Sequence, residues 1–169
     1  MKIAIIADSH DNLVTLEQAL KWIEKQKIKE IIHCGDVANS ETLLELAKNF
    51  SGKINLVFGN ADDRQRIFAL AKKLENIRIY GEKGEIKRNS KKIAFTHFKN
   101  TAHQIALKNK FDLIFYGHSH KPWQEQVGRS CLVNPGNLAG LFYRPTFAVY
   151  DTKTNRLELK ILEKLELSN

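Results

Sequence analysis

Apolar and polar positions follow two different rhythms along this chain. Lys2–Ala7 is a nearly continuous apolar run, and Glu30–Cys34 and Ile54–Phe58 repeat the pattern. Short unbroken runs of this kind mark strands buried on both faces. Between them the spacing turns helical: Leu13, Leu16, Leu20 and Ile23 share one face of a helix over 12–26. Ser40 opens a capped helix over Glu41–Phe50, and Asp62 or Asp63 caps a third that runs to about Leu74. This strict alternation of strand and helix predicts a mostly parallel sheet.

After residue 75 the periods shorten. Strands are expected at 77–80, 85–88, 92–96, 112–116, 123–127, 131–133, 146–151 and 156–163, with one helix near 101–109. They predict a second, more antiparallel sheet packed on the first. No Pro- or Gly-rich linker and no internal repeat separates the halves, so residues 1–169 read as a single α/β domain.

Composition narrows the class. With 169 residues, 43% hydrophobic and 27% charged, the chain can bury a sizeable core and does not read as disordered. No window approaches the ~20 apolar residues of a membrane helix. Met1–Ala7 has no small-residue cleavage site and reads as a first strand rather than a signal peptide. Cys34 and Cys131 lie in apolar runs and read as buried hydrophobes of a reducing, cytoplasmic protein. The net charge of +8 raises nucleic acid as a partner. The basic stretch Lys83–Lys92 carries no interleaved aromatics, however, and reads as a hairpin. Dedicated nucleic-acid binding is not expected, and the charge points no further than an anionic substrate.

The chemistry-bearing residues gather at one kind of place. Asp8 and His10 follow the first strand, Gly35-Asp36 the second and Gly59-Asn60 the third. Thr96-His97 and Gly117-His118-Ser119-His120 close two later ones. In open α/β sheets, ligands bind at the carboxyl ends of strands. Asp8, His10, Asp36, Asn60, His97, His118 and His120 are too many donors for one tetrahedral ion but suit two divalent ions ~3.5–4 Å apart. Two dications that close repel, so a bridging carboxylate is needed, and Asp36 is the candidate. Such a pair, balanced by Asp8, Asp36 and one hydroxide, keeps about one positive charge and favours a phosphate anion. The hydroxide between the ions is the expected nucleophile, at neutral pH.

The ordered set Asp8-Ser9-His10, Gly35-Asp36, Gly59-Asn60, His97 and Gly117-His118-Ser119-His120 resembles the calcineurin-like metallophosphoesterases. The resemblance covers residue 3 to about 151. The opening IAIIADSHDN and the segment Val133-Asn134-Pro135-Gly136 look most like the YfcE-like small phosphodiesterases. It implies a four-layer α/β/β/α sandwich, two mixed β-sheets flanked by helices, with the dimetal site at the C-terminal strand ends. One ion would be held by Asp8, His10, Asp36 and His120, the other by Asp36, Asn60, His97 and His118. The implied cofactors are two divalent ions (manganese, nickel, zinc, iron or magnesium). The implied substrate is a small or nucleotide-like phosphodiester, and relatives often form homodimers. Asp36, Asn60 and His97 are the candidate catalytic residues; Asn60 and Arg144 are candidate substrate contacts.

The chain departs from the larger family where Gly59-Asn60-Ala61-Asp62 replaces Gly-Asn-His-Asp/Glu. Ala61 cannot supply the leaving-group proton, and Asp62 is then expected to cap a helix. Three other functions compete with the diesterase. A monoesterase suffers most from the missing acid. A nuclease lacks room for extra DNA-binding segments. A protein-interaction scaffold resembling the retromer subunit has no need of a complete ligand set. His33 reads as a satisfied interior histidine, and His103 as a helix-surface residue. Phe98, Trp123, Phe142 and Tyr143 read as core or as walls of a pocket near the metals.

Overall fold

A computed structural model describes residues 1–165. Its strands are β1 (Lys2–Ile6), β2 (Glu30–His33), β3 (Lys53–Leu56), β4 (Ile77–Ile79), β5 (Lys83–Arg88), β6 (Lys91–Thr96), β7 (Leu113–Phe115), β8 (Trp123–Val127), β9 (Ser130–Asn134), β10 (Thr146–Asp151) and β11 (Arg156–Ile161). The helices are α1 (Leu13–Lys25), α2 (Ser40–Lys48), α3 (Arg64–Ala71) and α4 (Lys99–Ala106).

The first sheet runs β11-β10-β1-β2-β3-β4, with β1 to β4 parallel and β10 and β11 antiparallel to their neighbours. The second runs β5-β6-β7-β9-β8. Its central β6, β7 and β9 are parallel, and β5 and β8 pair antiparallel at the two edges. Thus β4, β10 and β11 belong to the first sheet, and the second is balanced rather than mainly antiparallel. An apolar run shows that a strand is buried, while its neighbours are chosen by the packing of distant segments.

Alternation along each strand builds the layers. On β1, Ala4 and Ile6 join Leu16, Leu20, Leu43, Leu46 and Ile67 of the three helices in one core. Ile3 and Ile5 point the other way, into a core shared with Phe95, Phe115 and Val133 of the second sheet. Ala94, Ile114 and Leu132 face α4 through Ala102, Ile105 and Ala106. The result is the expected order of helices, sheet, sheet, helix.

Asn39 caps α2 by accepting from the N–H groups of Glu41 and Thr42, and Ser40 is its first helical residue. Asp63, not Asp62, caps α3 through Arg66 N. The two sheets are tied at the end where β2 begins. The buried Glu30 carboxylate there accepts from Arg88 Nε of β5 at 2.6 Å, from Arg88 Nη2 and from Asn55 Nδ2 at 2.8 Å. Among the described residues, no helix is long and apolar enough to cross a membrane.

Candidate metal centre

At the opposite end, β1, β2 and β3 of the first sheet and β6 and β7 of the second deliver all seven candidate ligands. Five of these residues turn the chain through the left-handed region: Asp8 (φ 52°), His10 (40°), Asp36 (58°), His118 (70°) and His120 (58°). That conformation costs a non-glycine residue roughly 1–2 kcal/mol. Cross-loop hydrogen bonds hold it in place: Asp8 N to Gly35 O at 3.0 Å, His10 N to Asp36 O at 3.1 Å and Gly117 N to His97 O at 3.0 Å. Both Asp8 oxygens also accept the His118 N–H at 3.1 Å, joining the first sheet to the second.

The side chains converge. His10 Nε2 lies 3.2 Å from His120 Nε2 and 3.9 Å from Asp8 Oδ1, which is 3.6 Å from His120 Nε2. On the other side, His97 Nε2 lies 3.3 Å from Asp36 Oδ2 and 3.0 Å from Asn60 Oδ1. Asp36 Oδ2 is also 3.6 Å from His10 Nε2, so one oxygen stands between the two groups. Asp8, His10 and His120 form one cluster of metal-ligand geometry, and Asp8, Asp36 and His97 another. The exposed His118 sits at the rim, its ring 5.1 Å from that of His97 and 4.9 Å from that of Phe98.

The glycines of the motifs make this closeness feasible. A β-carbon on Gly59 would overlap the Asp36 carboxylate and lie 2.7 Å from Asp36 N. One on Gly117 would lie 2.8 Å from Asp8 Oδ2. Each glycine is thus the floor on which a carboxylate rests, Asp36 from the adjacent strand and Asp8 from the facing sheet.

Three side chains outside the candidate ligand set fix the loops. Asp62 accepts from Gly59 N at 2.7 Å, Ala38 N at 2.9 Å and Asp36 N at 3.1 Å, so it clamps two ligand loops instead of capping α3. Buried Asn134 donates to Gly117 O at 2.8 Å and Ser119 Oγ at 3.0 Å. Buried Asn137 donates to His120 O at 3.2 Å and accepts from Leu141 N at 2.8 Å. The resemblance had marked the Asn134-Pro135-Gly136 turn without a role; its asparagine staples the His118–His120 loop.

The electrostatics call for cations. Burial pushes the Asp8 carboxyl up to about 7, against the pull of His97 and with the added push of Asp36. Burial also works against the charge on Asp36, but the hydrogen bond and charge of His97 and the Ala61 N–H hold it below the usual range. Burial likewise opposes a charged His97, yet Asp36 and then Asp8 hold its imidazolium above the usual value. Burial and neighbouring imidazoles lower His118 and His120. His97 Nδ1 lies 2.8 Å from Cys34 O, which only accepts, so Nδ1 carries a proton in either charge state, and loss of the second proton, which a bound cation requires, leaves the Nε2 lone pair facing inward. There it meets the oxygens of Asp36 and Asn60. Three acceptors converging on one point, with no Lys or Arg paired to Asp8 or Asp36 among the described residues, form a site that fits divalent metal.

The remaining candidates lie elsewhere. His33 is fully buried, with Nε2 3.1 Å from Ser9 Oγ, and burial drives its pKa down to about 3. His103 pairs with Glu125 at 3.0 Å on α4. Arg144 is exposed and paired with Glu163 at 3.6 Å. Phe98 packs against His97 and His118, whereas Phe142 lies on a loop beside His120. Trp123 stacks under Lys121.

Two facing sheets with a histidine–carboxylate cluster on their common edge define a metallophosphoesterase-type sandwich. Residues 1–155 match the model of the calcineurin-like phosphoesterase superfamily domain, and the chain belongs to that superfamily. It is 28% identical over 167 residues to the phosphodiesterase MJ0936 of Methanocaldococcus jannaschii, covering 96% of this chain and 100% of that one. The solved structure of a novel archaeal phosphodiesterase superposes with a TM-score of 0.85 at 26% identity, over 95% of this chain and 99% of that one. YfcE, a phosphoesterase from E. coli, shares the fold with a TM-score of 0.69 at 17% identity, over 96% and 100% of the two chains. Family and relatives together support a phosphoesterase function.

Proposed function

We propose that the chain is a phosphodiesterase dependent on two divalent metal ions, acting on a small or nucleotide-like diester in the cytoplasm. The observation that carries this reading is the placement of Asp36 Oδ2, 3.6 Å from His10 Nε2 and 3.3 Å from His97 Nε2. Asp8, His10, Asp36 and His120 would hold one ion, and Asp36, Asn60, His97 and His118 the other. When bound, such ions bring the pKa of a shared water toward ~7 and offset charge on the phosphoryl oxygens.

The chain's own residues supply orientation. Ala61 N–H holds Asp36 Oδ1 at 2.8 Å, which keeps Oδ2 between His10 and His97, where it would serve both ions. Cys34 O fixes the His97 tautomer. Asn60 is exposed at the mouth, where its amide can reach both an ion and a phosphoryl oxygen. Arg144 would have to leave Glu163 to join it. No proton donor stands at the leaving-group side of the third motif: residue 61 is alanine, and both Asp62 oxygens are taken by backbone N–H groups. A positioned general acid is worth ~10²–10⁴-fold, so good leaving groups are favoured.

The test is hydrolysis of bis-p-nitrophenyl phosphate and p-nitrophenyl phosphate by metal-stripped protein after adding manganese, nickel, zinc or magnesium. Diester cleavage with two ions per chain, lost in Asp36→Ala, is expected. Two bound ions without turnover of either ester would sink the enzymatic reading in favour of a scaffold; faster monoester cleavage would reassign the substrate.

A further inference from the structure

The loop after Asn137 places an aromatic ring where nothing in the fold requires one. Phe142 is 91% exposed, the highest exposure of any large hydrophobic among the described residues. Its backbone is left-handed (φ 64°), a conformation that is an outlier for a bulky side chain. Tyr143 N donates to Leu141 O at 2.7 Å, closing a tight turn with Phe142 at its apex. The loop is also anchored, because fully buried Asn137 holds Leu141 N with one side-chain atom and the His120 carbonyl with the other. The Phe142 ring lies beside the candidate metal ligand His120, 5.8 Å between ring centroids.

These features together distinguish Phe142 from the other aromatics. Phe98 is half-buried and packs edge-on against His97 and His118, so it orients ligands. Phe142 keeps its face open to solvent. An open aromatic face on an anchored loop beside the candidate phosphate-binding centre fits the flat ring of a substituent carried by the same phosphorus. Stacking of a nucleobase on such a ring is worth ~1–3 kcal/mol and tolerates any base.

We propose that Phe142 is a stacking platform for a nucleoside arm of the diester, which makes nucleotide diesters the preferred substrate class. This rests on the phosphodiesterase reading above. The phosphate would lie over the ligand cluster, and the nucleoside retained after hydrolysis would extend past His120 onto the ring.

The experiment compares thymidine 5′-p-nitrophenyl phosphate with methyl p-nitrophenyl phosphate, which share a leaving group and differ only in the second arm. Wild type is expected to favour the thymidine ester by about tenfold in kcat/KM. That ratio should collapse in Phe142→Ala, mainly through KM, and return in Phe142→Trp. A ratio unchanged by Phe142→Ala overturns the platform. If the wild type cleaves neither ester with any metal, the diesterase reading fails, and calorimetry decides the platform independently. Thymidine 5′-phosphate with manganese should then bind about tenfold more weakly to Phe142→Ala. Equal binding overturns the proposal. So does loss of self-association, seen by sedimentation of Phe142→Ala, without any change in nucleotide affinity.

Discussion

The Asp62 carboxylate accepts the backbone N–H of Gly59 at 2.7 Å, closing the loop that carries Asn60. The same carboxylate reaches across to the loop of Asp36, so two strand ends of the first sheet share one half-buried carboxylate. Replacing it with alanine leaves three N–H groups without their charged acceptor. Asp62→Ala is expected to cost about 3 kcal/mol in chemical denaturation and to weaken metal affinity measurably by calorimetry. A variant with wild-type stability and affinity would show that water takes over the clamp.

Gly59→Ala probes close approach rather than charge. The added β-carbon collides with the Asp36 carboxylate, which cannot yield because Ala61 N–H and the His97 ring hold it. Loss of outer-shell support alone typically costs 10–100-fold in metal affinity, and displacing a ligand should cost at least about 100-fold. Two ions bound with native affinity in this variant would remove Asp36 from the bridging position.

The titrating groups give opposite pH signatures in metal-free protein. Asp8 titrates near 3.8 when unfolded and about 7 when folded, so between these values the fold holds the extra proton. Its contribution to stability falls as pH rises from about 4 to 7. His33 titrates near 6.5 unfolded and about 3 folded, so its contribution is lost as pH falls from 6.5 toward 3. Melting curves in chelator from pH 4 to 8 are expected to separate the two. Asp8→Asn should gain on wild type as pH rises, and His33→Gln should gain as pH falls. Parallel curves for wild type and both variants would contradict these assignments.

Glu30 and Arg88 offer a control far from the chemistry. Glu30 is 2% exposed, and Arg88→Met leaves its carboxylate buried with only Asn55 as a side-chain partner. Breaking a buried pair by removing one member costs about 3–5 kcal/mol. Arg88→Met should lose that much stability and keep its metal stoichiometry.

Much of the centre was legible because ligand chemistry is written locally. A glycine and an Asp, Asn or His directly after an apolar strand mark a strand end whose side chain turns onto the sheet edge. Asp36, Asn60 and His118 needed no more than that. Sheet membership was less legible. Thr146–Asp151 reads as a buried strand wherever it pairs, and only the assembled fold shows it beside β1. Asp62 misled because an acid just before a helix has the signature of a cap, a role that its neighbour Asp63 fills. The groups to which Asn134 and Asn137 donate lie in a loop 15 to 17 residues earlier, beyond the reach of any local pattern.

The placement of β10 also bears on how a ribosome delivers this protein. β1 is made well before β10, and its second edge pairs with that strand, where Lys2 meets Asp151. Until that late strand emerges, Ile3–Ile6 presents an unpaired edge with apolar residues on both faces. Such edges template association between chains. The growing chain therefore carries every candidate metal ligand while one edge of its largely buried first strand is still open, and release before Thr146 would yield a sticky product rather than a smaller functional domain.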